Sequence, residues 1–202
     1  KVMRYAPAAD GHYRYLVGDD FVPPDVKHEV ETIGRLVNAF FRWEFNSCEV
    51  IVKGGQAHPI DYANASPDIA LVSLHYYFPW AIKALVAWCV FCAVTGRAMR
   101  INQNTRDYFA IGDSGLTYHE KLERYGELAD AYFQTDLFDE FRAEALPQLE
   151  ETMVEYVESP EFDELIVQTI RTEEPEEKQE RLIERSRSAT AAWATDRRGA
   201  IV

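Results

Sequence analysis

Residues 45–62 have the sequence FNSCEVIVKGGQAHPIDY, and this stretch predicts a β-hairpin. Apolar and polar residues alternate over Phe45–Val52, as expected for a strand with one buried face. Lys53-Gly54-Gly55-Gln56 follows, and its two central glycines are typical of a tight hairpin turn. His58–Tyr62 is then the return strand. The sequence therefore predicts an antiparallel pair of strands in the front half of the chain.

The segments on both sides of this hairpin indicate an α+β fold. Short β-prone runs at Lys1–Tyr5 and Tyr13–Val17 precede a helix, whose apolar residues recur at helical spacing from Val26 to Phe40. After the hairpin, an apolar helix is predicted over Pro79–Val94. This order of strands and helices is typical of an antiparallel sheet with flanking helices on one face.

The back half is predicted to be helical. Apolar residues recur at helical spacing over Tyr118–Phe133 and Asp136–Glu158, and Pro147 is expected to kink the second of these helices. Glu173–Arg187 is charged nearly all round, so it is predicted to be a solvated helix or a fraying tail. Ser188–Val202 is predicted to be loose.

Acidic residues are concentrated in the back half. The 202 residues contain 21 Lys and Arg but 34 Asp and Glu, for a net charge of −13. Residues 1–119 contain 12 acids and 11 bases, whereas residues 120–187 contain 21 acids and 8 bases. This shift predicts an α+β domain over 1–116, an acidic helical extension over 117–190 and a flexible tail over 191–202.

Charge and composition argue against several classes of partner. A general nucleic-acid binder needs a basic surface that displaces counterions, and an anionic membrane surface also attracts basic segments. The apolar run 84–94 is shorter than the roughly 20 residues of a membrane span, so a buried helix of a soluble domain is expected. The CxxC pair Cys89 and Cys92 lies in this apolar run, which favours buried, inert thiols. We therefore predict a cytoplasmic protein with no nucleic-acid or membrane partner.

The hairpin also carries the residues best suited to metal chemistry. A Gly-Gly turn brings Glu49 close to Asp61, and Asn64 follows at the end of the second strand. Two carboxylates and an amide oxygen are the hard oxygen ligands that Mg²⁺ prefers, and substrate phosphates usually complete its shell. The pattern therefore predicts a magnesium site at Glu49, Asp61 and Asn64. It also fits two acids on a strand surface followed by an ordinary turn, and both interpretations stay open.

Two segments carry a further signal: Asn46-Ser-Cys-Glu49 and His58-Pro-Ile-Asp61-Tyr-Ala-Asn64-Ala-Ser-Pro67-Asp68. Together they resemble the C-terminal end of an ATP-grasp ligase, in particular uncharacterised relatives of glutathione synthetase and of the ribosomal-protein glutamate ligases. In that superfamily an acid on one strand, then an acid and an asparagine on the next, hold the Mg²⁺ ions that bridge the ATP phosphates.

The resemblance implies roles for four residues. Glu49, Asp61 and Asn64 would hold Mg²⁺, with Asn64 also counted among the ATP-binding residues. Lys1–Tyr5 resembles the preceding strand of the family, whose basic residue faces the phosphates. Arg4 is accordingly the predicted catalytic and ATP-binding residue.

The resemblance covers residues 1 to about 95 and departs from the family pattern at two positions. The family's Glu-x-Asn is Asp61-x-x-Asn64 in this chain, and the glycine that usually follows the proline is Asp68. The family's Gly-rich phosphate loop, phosphate-binding lysines and adenine-binding hinge lie before this segment. The chain is therefore expected to supply half of a site, which the same gene product, another chain or a second copy in a homodimer completes.

The resemblance implies an ATP-dependent, Mg²⁺-requiring ligase that forms ADP. Such an enzyme joins a small-molecule carboxylate to an amine or a thiol through an acyl phosphate, and this chain would supply the metal and phosphate half of the site. The alternative is a non-catalytic α/β scaffold, whose acidic helical back half docks a partner through the amphipathic faces of Tyr118–Phe133 and Asp136–Glu158. An upstream Gly-rich loop with paired lysines would favour the enzyme.

Overall fold

The computed structural model describes residues 6–7, 13–14, 24–53, 56–65, 67–98 and 104–201. Most of these residues are helical, and the strands among them form only two separate two-stranded ribbons. The predicted α+β fold, with an antiparallel sheet and flanking helices, is therefore wrong. The alternating pattern of residues 45–62 reflects an isolated hairpin, because no other described strand pairs with either of its edges.

The strands pair in chain order. β1 (Ala6–Pro7) is antiparallel to β2 (Tyr13–Arg14), and β3 (Ser47–Lys53) is antiparallel to β4 (Gln56–Asn64). The helices are α1 (Pro24–Phe41), α2 (Leu71–Leu74), α3 (Phe78–Thr95), α4 (Arg106–Gly112), α5 (Tyr118–Phe133), α6 (Thr135–Ala145), α7 (Leu149–Val157), α8 (Pro160–Glu173) and α9 (Glu176–Ile201), with a 3-10 turn at His75–Tyr77. The helices predicted over 26–40, 79–94 and 118–133 are confirmed.

Two compact units make up the chain. Unit 1 contains the described parts of residues 16–67 and 94–140, and unit 2 contains β1, β2, residues 68–93 and the described part of 141–202. Each unit thus draws on both sides of the boundary predicted at 116/117. The change in charge along the chain does not follow the compact units, because packing partners need not share a composition.

Unit 1 is built on the contact between α1 and α5. Ala39 and Ala129 are completely buried there, and Tyr132 is 4% exposed. Gly126 faces Thr32 so closely that a Cβ at Gly126 would lie 3.4 Å from Thr32 Cγ2. Small residues on both helices therefore allow a close approach of α1 and α5.

Unit 2 is built from α7, α8 and α9, which pack against one another, and α9 also packs against the 3-10 turn and α2. Its core includes Phe162, Ile166 and Ile170, all at most 2% exposed. The predicted kink at Pro147 is instead a break between α6 and α7. A proline lacks the N–H that would continue the helix, and its ring clashes with the preceding turn.

The end of α9 differs from the sequence prediction. The sequence predicts that Ser188–Val202 is loose, but α9 continues to Ile201, with Trp193 2% exposed and Ala194 1% exposed. Thr190 and Ser186 lie about one and two helical turns before Trp193, respectively, and are also buried. The buried stripe of this helix therefore consists mostly of small residues, which give no apolar periodicity.

The apolar helix α3 is buried on one side only. Its buried residues are Pro79, Ala87 and Phe91, whereas Val86 and Val94 are 39% and 68% exposed. Within the described part of the chain, Leu71–Thr95 is long and apolar enough to cross a membrane, with a mean hydropathy of 1.7 and 17% of its window buried. Core helices of soluble proteins meet the same criterion. The predicted cytoplasmic location and lack of a membrane partner stay predictions.

Candidate functional site

The β3–β4 hairpin aligns the positions predicted to bind metal. Glu49 pairs with Asp61, and Ser47 pairs with Asn64. The strands pair up to the residues that flank the Gly-Gly turn, so the predicted proximity of positions 49 and 61 is confirmed. Asp61 and Asn64 are both exposed.

A β-bulge brings Asn64 onto the same face as Asp61. Ser47 and Glu49 are two residues apart on β3, but their partners Asn64 and Asp61 are three residues apart on β4. One extra residue of β4 is therefore accommodated here, as in a bulge. In a regular strand, residues three apart lie on opposite faces. The long Asp61-x-x-Asn64 spacing thus still places positions 49, 61 and 64 on one face.

A second shift lies on the turn side of Glu49. Val50 pairs with Pro59, although Glu49 pairs with Asp61, so β4 has another extra residue at Ile60. Ile60 is 58% exposed. Bulges occur often next to functional sites because they redirect side chains. A register shift therefore lies on each side of the Glu49–Asp61 pair.

The donor set fits Mg²⁺ in its chemistry. Two carboxylate-bearing positions are paired, and an amide-bearing position shares their face. Among the side chains that the structure describes, no group of three or more His, Cys, Asp and Glu residues is close enough to hold a metal. Arg4, predicted to contact the phosphates, lies outside the described residues.

The chain enters β3 through a Schellman turn at the end of α1. Trp43 N donates to Asn38 O at 2.9 Å, and Arg42 N donates to Ala39 O at 3.3 Å. Arg42 has a φ of 61°, a left-handed conformation in which glycine is usual. Its Nη1 donates to Ala39 O at 2.7 Å and so partly compensates this strain. The turn fixes the direction in which the chain leaves α1.

Asn46 connects this turn to the hairpin. Its Nδ2 donates to Asn38 Oδ1 at 2.8 Å and to Tyr62 O at 3.0 Å, and it lies 3.3 Å from Cys48 Sγ. Tyr62 is one of the two residues that separate Asp61 from Asn64, so its carbonyl lies inside the bulge. Sequence spacing did not identify Asn46 as important, because its partners lie 8 and 16 residues away.

A buried ion pair also stabilises the segment that follows this turn. Arg97 Nη2 lies 3.3 Å from Glu44 Oε1, and the two side chains are 7% and 16% exposed. Tyr132 donates its hydroxyl to Glu44 Oε1 at 2.8 Å. Burial, reinforced by this hydrogen bond, raises the pKa of Tyr132 to about 12. The phenol therefore remains a hydrogen-bond donor at neutral pH.

None of the three cysteines forms a disulfide. Burial raises the pKa of Cys48 to about 11. Tyr62 behaves similarly, since burial and the nearby Cys48 raise its pKa to about 12. Both groups stay protonated at neutral pH. The expectation that the CxxC thiols are buried is wrong for Cys89, which is exposed.

Asp68, where the resembled pattern has a glycine, has a local structural role in unit 2. Its Oδ1 accepts a hydrogen bond from Ala70 N at 2.7 Å, and its Oδ2 accepts one from the Ser73 hydroxyl. The hydrogen bond from Ser73, and to a lesser extent that from Ala70, lowers the pKa of Asp68. The carboxylate thus stabilises the start of α2 and does not belong to the hairpin.

Comparisons with known proteins returned no relative of this chain. No protein-family model, no curated protein and no solved structure matches it. The resemblance to ATP-grasp ligases therefore rests on the residues quoted above.

Proposed function

We propose that the β3–β4 hairpin holds Mg²⁺ for the phosphates of ATP. In this proposal the chain is the metal and phosphate half of an ADP-forming ligase that joins a small-molecule carboxylate to an amine or a thiol. The observation that carries the proposal is the pairing of Glu49 with Asp61, with a bulge that keeps Asn64 on their face.

The chain's own residues would supply oxygen ligands to the metal. Glu49 and Asp61 contribute carboxylates, and Asn64 contributes an amide oxygen. When bound, Mg²⁺ neutralises charge that builds on a transferred phosphoryl group. Because Asp61 and Asn64 are exposed, both are open to a nucleotide that the other half of the site would hold.

Isothermal titration calorimetry on the full chain tests the proposal, first with MgCl₂ and then with ATP at saturating Mg²⁺. We expect Mg²⁺-dependent binding of ATP by the wild-type chain. Glu49→Gln and Asp61→Asn each remove one charged ligand, so each should weaken Mg²⁺ binding by about tenfold or more. Asp107→Asn is the matched control, because Asp107 is an exposed acid on α4 of the same unit.

Two of the following results would contradict the metal site, and one would contradict only the expected binding of ATP by this chain. Equal weakening by Asp107→Asn would mean that only net charge matters. Mg²⁺ binding without ATP binding would keep the metal site and assign all nucleotide recognition to the other half. A wild-type chain that binds no Mg²⁺ would overturn the site and favour a non-catalytic scaffold, whose acidic helices dock a partner.

A further inference from the structure

We infer that Asn46 is a positioning residue, which holds the bulge of β4 and so keeps Asn64 on the same face as Asp61. The inference rests on the proposed function, because it assigns Asn46 to the geometry of the proposed metal site. Asn46 itself need not contact the metal or the nucleotide.

Both N–H groups of the Asn46 side chain are used. An asparagine amide has two N–H donors. The acceptors around them are Asn38 Oδ1 and Tyr62 O, at 2.8 and 3.0 Å, and the more distant Cys48 Sγ at 3.3 Å. The amide oxygen Oδ1 is buried and has no hydrogen-bond partner among the described atoms. The role of Asn46 therefore lies in its N–H groups.

One of these hydrogen bonds is made to the bulge of β4, where the regular pairing of the strands is interrupted. A bulge interrupts the regular ladder of backbone hydrogen bonds and leaves an extra residue to accommodate. A slip of one residue in register moves a side chain to the other face of a strand. The Tyr62 carbonyl lies inside the bulge and accepts its hydrogen bond from Asn46. Loss of this bond would favour a slip that moves Asn64 away from Asp61.

The other hydrogen bond connects Asn46 to Asn38 in helix α1. Asn38 lies in the last turn of α1, and its backbone carbonyl accepts the hydrogen bond from Trp43 N that closes the Schellman turn. α1 is in turn packed against α5. The position of Asn46 is thus defined by the helical part of unit 1. Asn46 therefore positions β4 relative to α1, and it does not lie on the face of the hairpin that carries positions 49, 61 and 64.

The first test measures the register of the hairpin by NMR in the wild-type chain and in Asn46→Ala. We expect a cross-strand nuclear Overhauser effect (NOE) between Ser47 and Asn64 in the wild type and its loss in the variant. The NOE between Val52 and Ala57, nearer the turn, should persist and show that the hairpin still forms. Asn104→Ala is the control, because Asn104 is an exposed asparagine of the same unit.

The second test measures Mn²⁺ affinity by electron paramagnetic resonance. We expect Asn46→Ala to weaken binding about tenfold, in the range usual for residues that orient metal ligands. Because Asn46 acts through Asn64, the double variant Asn46→Ala/Asn64→Ala should bind no more weakly than Asn64→Ala alone. General destabilisation would instead give additive losses.

The outcomes separate this inference from the proposed function. Retention of the Ser47–Asn64 NOE in Asn46→Ala, or additive losses in the double variant, would overturn the role of Asn46. A wild-type chain that binds no Mn²⁺ would overturn the metal site, and the NOE comparison would then decide the role of Asn46 in the bulge alone.

Discussion

The β3–β4 hairpin and helix α9 use polar residues in opposite ways. At the base of the hairpin, Asn46 acts through directed hydrogen bonds to α1 and to β4. In α9, Ser186 and Thr190 are buried beside Trp193, and no hydrogen bond joins either side chain to another helix among the described atoms. Polar groups in the hairpin thus fix a geometry. Those in α9 act through their small size, which lets the helix pack closely.

The largest loss of stability is expected from a substitution on the buried face of α9. Trp193→Ala should lower the free energy of unfolding by about 3–5 kcal/mol, because a fully buried aromatic side chain leaves a cavity. Urea unfolding followed by circular dichroism measures this change. Lys178→Ala, exposed on the same helix, is the control. A loss no greater than that of the control would mean that the end of α9 does not belong to the core.

The next largest effect is expected on the rate at which Cys48, a partly buried residue of β3, is alkylated. The pKa of Cys48 is raised to about 11 by burial, so its thiolate is scarce until the pH approaches that value. At pH 8, iodoacetamide should label Cys48 about 100-fold or more slowly than a thiol of ordinary pKa near 8.5. The reference is Cys48 in the urea-unfolded chain, where its thiol has the ordinary pKa, and mass spectrometry of the Cys48 peptide measures both rates. Similar rates would show that the hairpin opens readily.

A smaller effect of opposite sign is expected at Ser186. Its hydroxyl is completely buried and has no hydrogen-bond partner among the described atoms. Ser186→Ala removes this unsatisfied group and should raise the free energy of unfolding by about 1 kcal/mol. Ser188→Ala, at an exposed position two residues further along the same helix, controls for the helix propensity of alanine. A destabilised Ser186→Ala variant would show that the hydroxyl has a partner, and the contrast with Asn46 would fail.

The smallest effect is expected on the exposed side of α9. Arg187 forms a two-point contact with Asp163, at 2.5 and 2.7 Å, and both side chains are more than 40% exposed. Arg187→Gln should therefore cost less than about 1 kcal/mol at pH 7. A larger loss would show that directed ion pairs, and not burial alone, hold α9.

The same pair has a defined pH dependence. The hydrogen bond from Arg187 lowers the pKa of Asp163. A carboxyl group whose pKa is lower in the folded than in the unfolded state stabilises the protein at pH values above its unfolded-state pKa of about 3.9. This contribution is lost as the pH falls through the folded-state pKa. The unfolding free energies of wild type and Arg187→Gln should therefore converge as the pH falls below the folded-state pKa of Asp163. A difference that persists there would exclude the ion pair as its cause.

Local signals made the hairpin predictable, and non-local packing made α9 unpredictable. The Gly-Gly turn and the alternation before it determine the pairing of the residues nearest the turn, from Lys53–Gln56 to Val50–Pro59. No local signal specifies whether a third strand joins the pair, so the sheet was predicted wrongly. In α9, Ser186 and Thr190 resemble solvent-facing residues in any window of sequence. Their burial depends on α7 and α8, which the sequence pattern does not place.

The candidate site was predictable only in part, for the same reason. The turn predicts that Glu49 lies near Asp61, but regular pairing from the turn would match Glu49 with Ile60, so the Glu49–Asp61 pair depends on the extra residue at Ile60. The bulge that realigns Asn64 depends on Asn46 and on its anchor at Asn38 in α1, which is a tertiary contact. Metal binding itself stays a prediction that only the titrations test.

The interleaving of the two units has a consequence for synthesis on the ribosome. Phe91 is buried in unit 2 with its ring 5.5 Å from that of Phe141, but the 47 residues 94–140 belong to unit 1. At 5–20 residues per second, translation of that stretch takes about 2–10 s. For that interval α3 has emerged without its later partners. We therefore expect α3 to be the segment of the nascent chain that chaperones bind, and its protection to begin only when residues beyond 141 leave the exit tunnel.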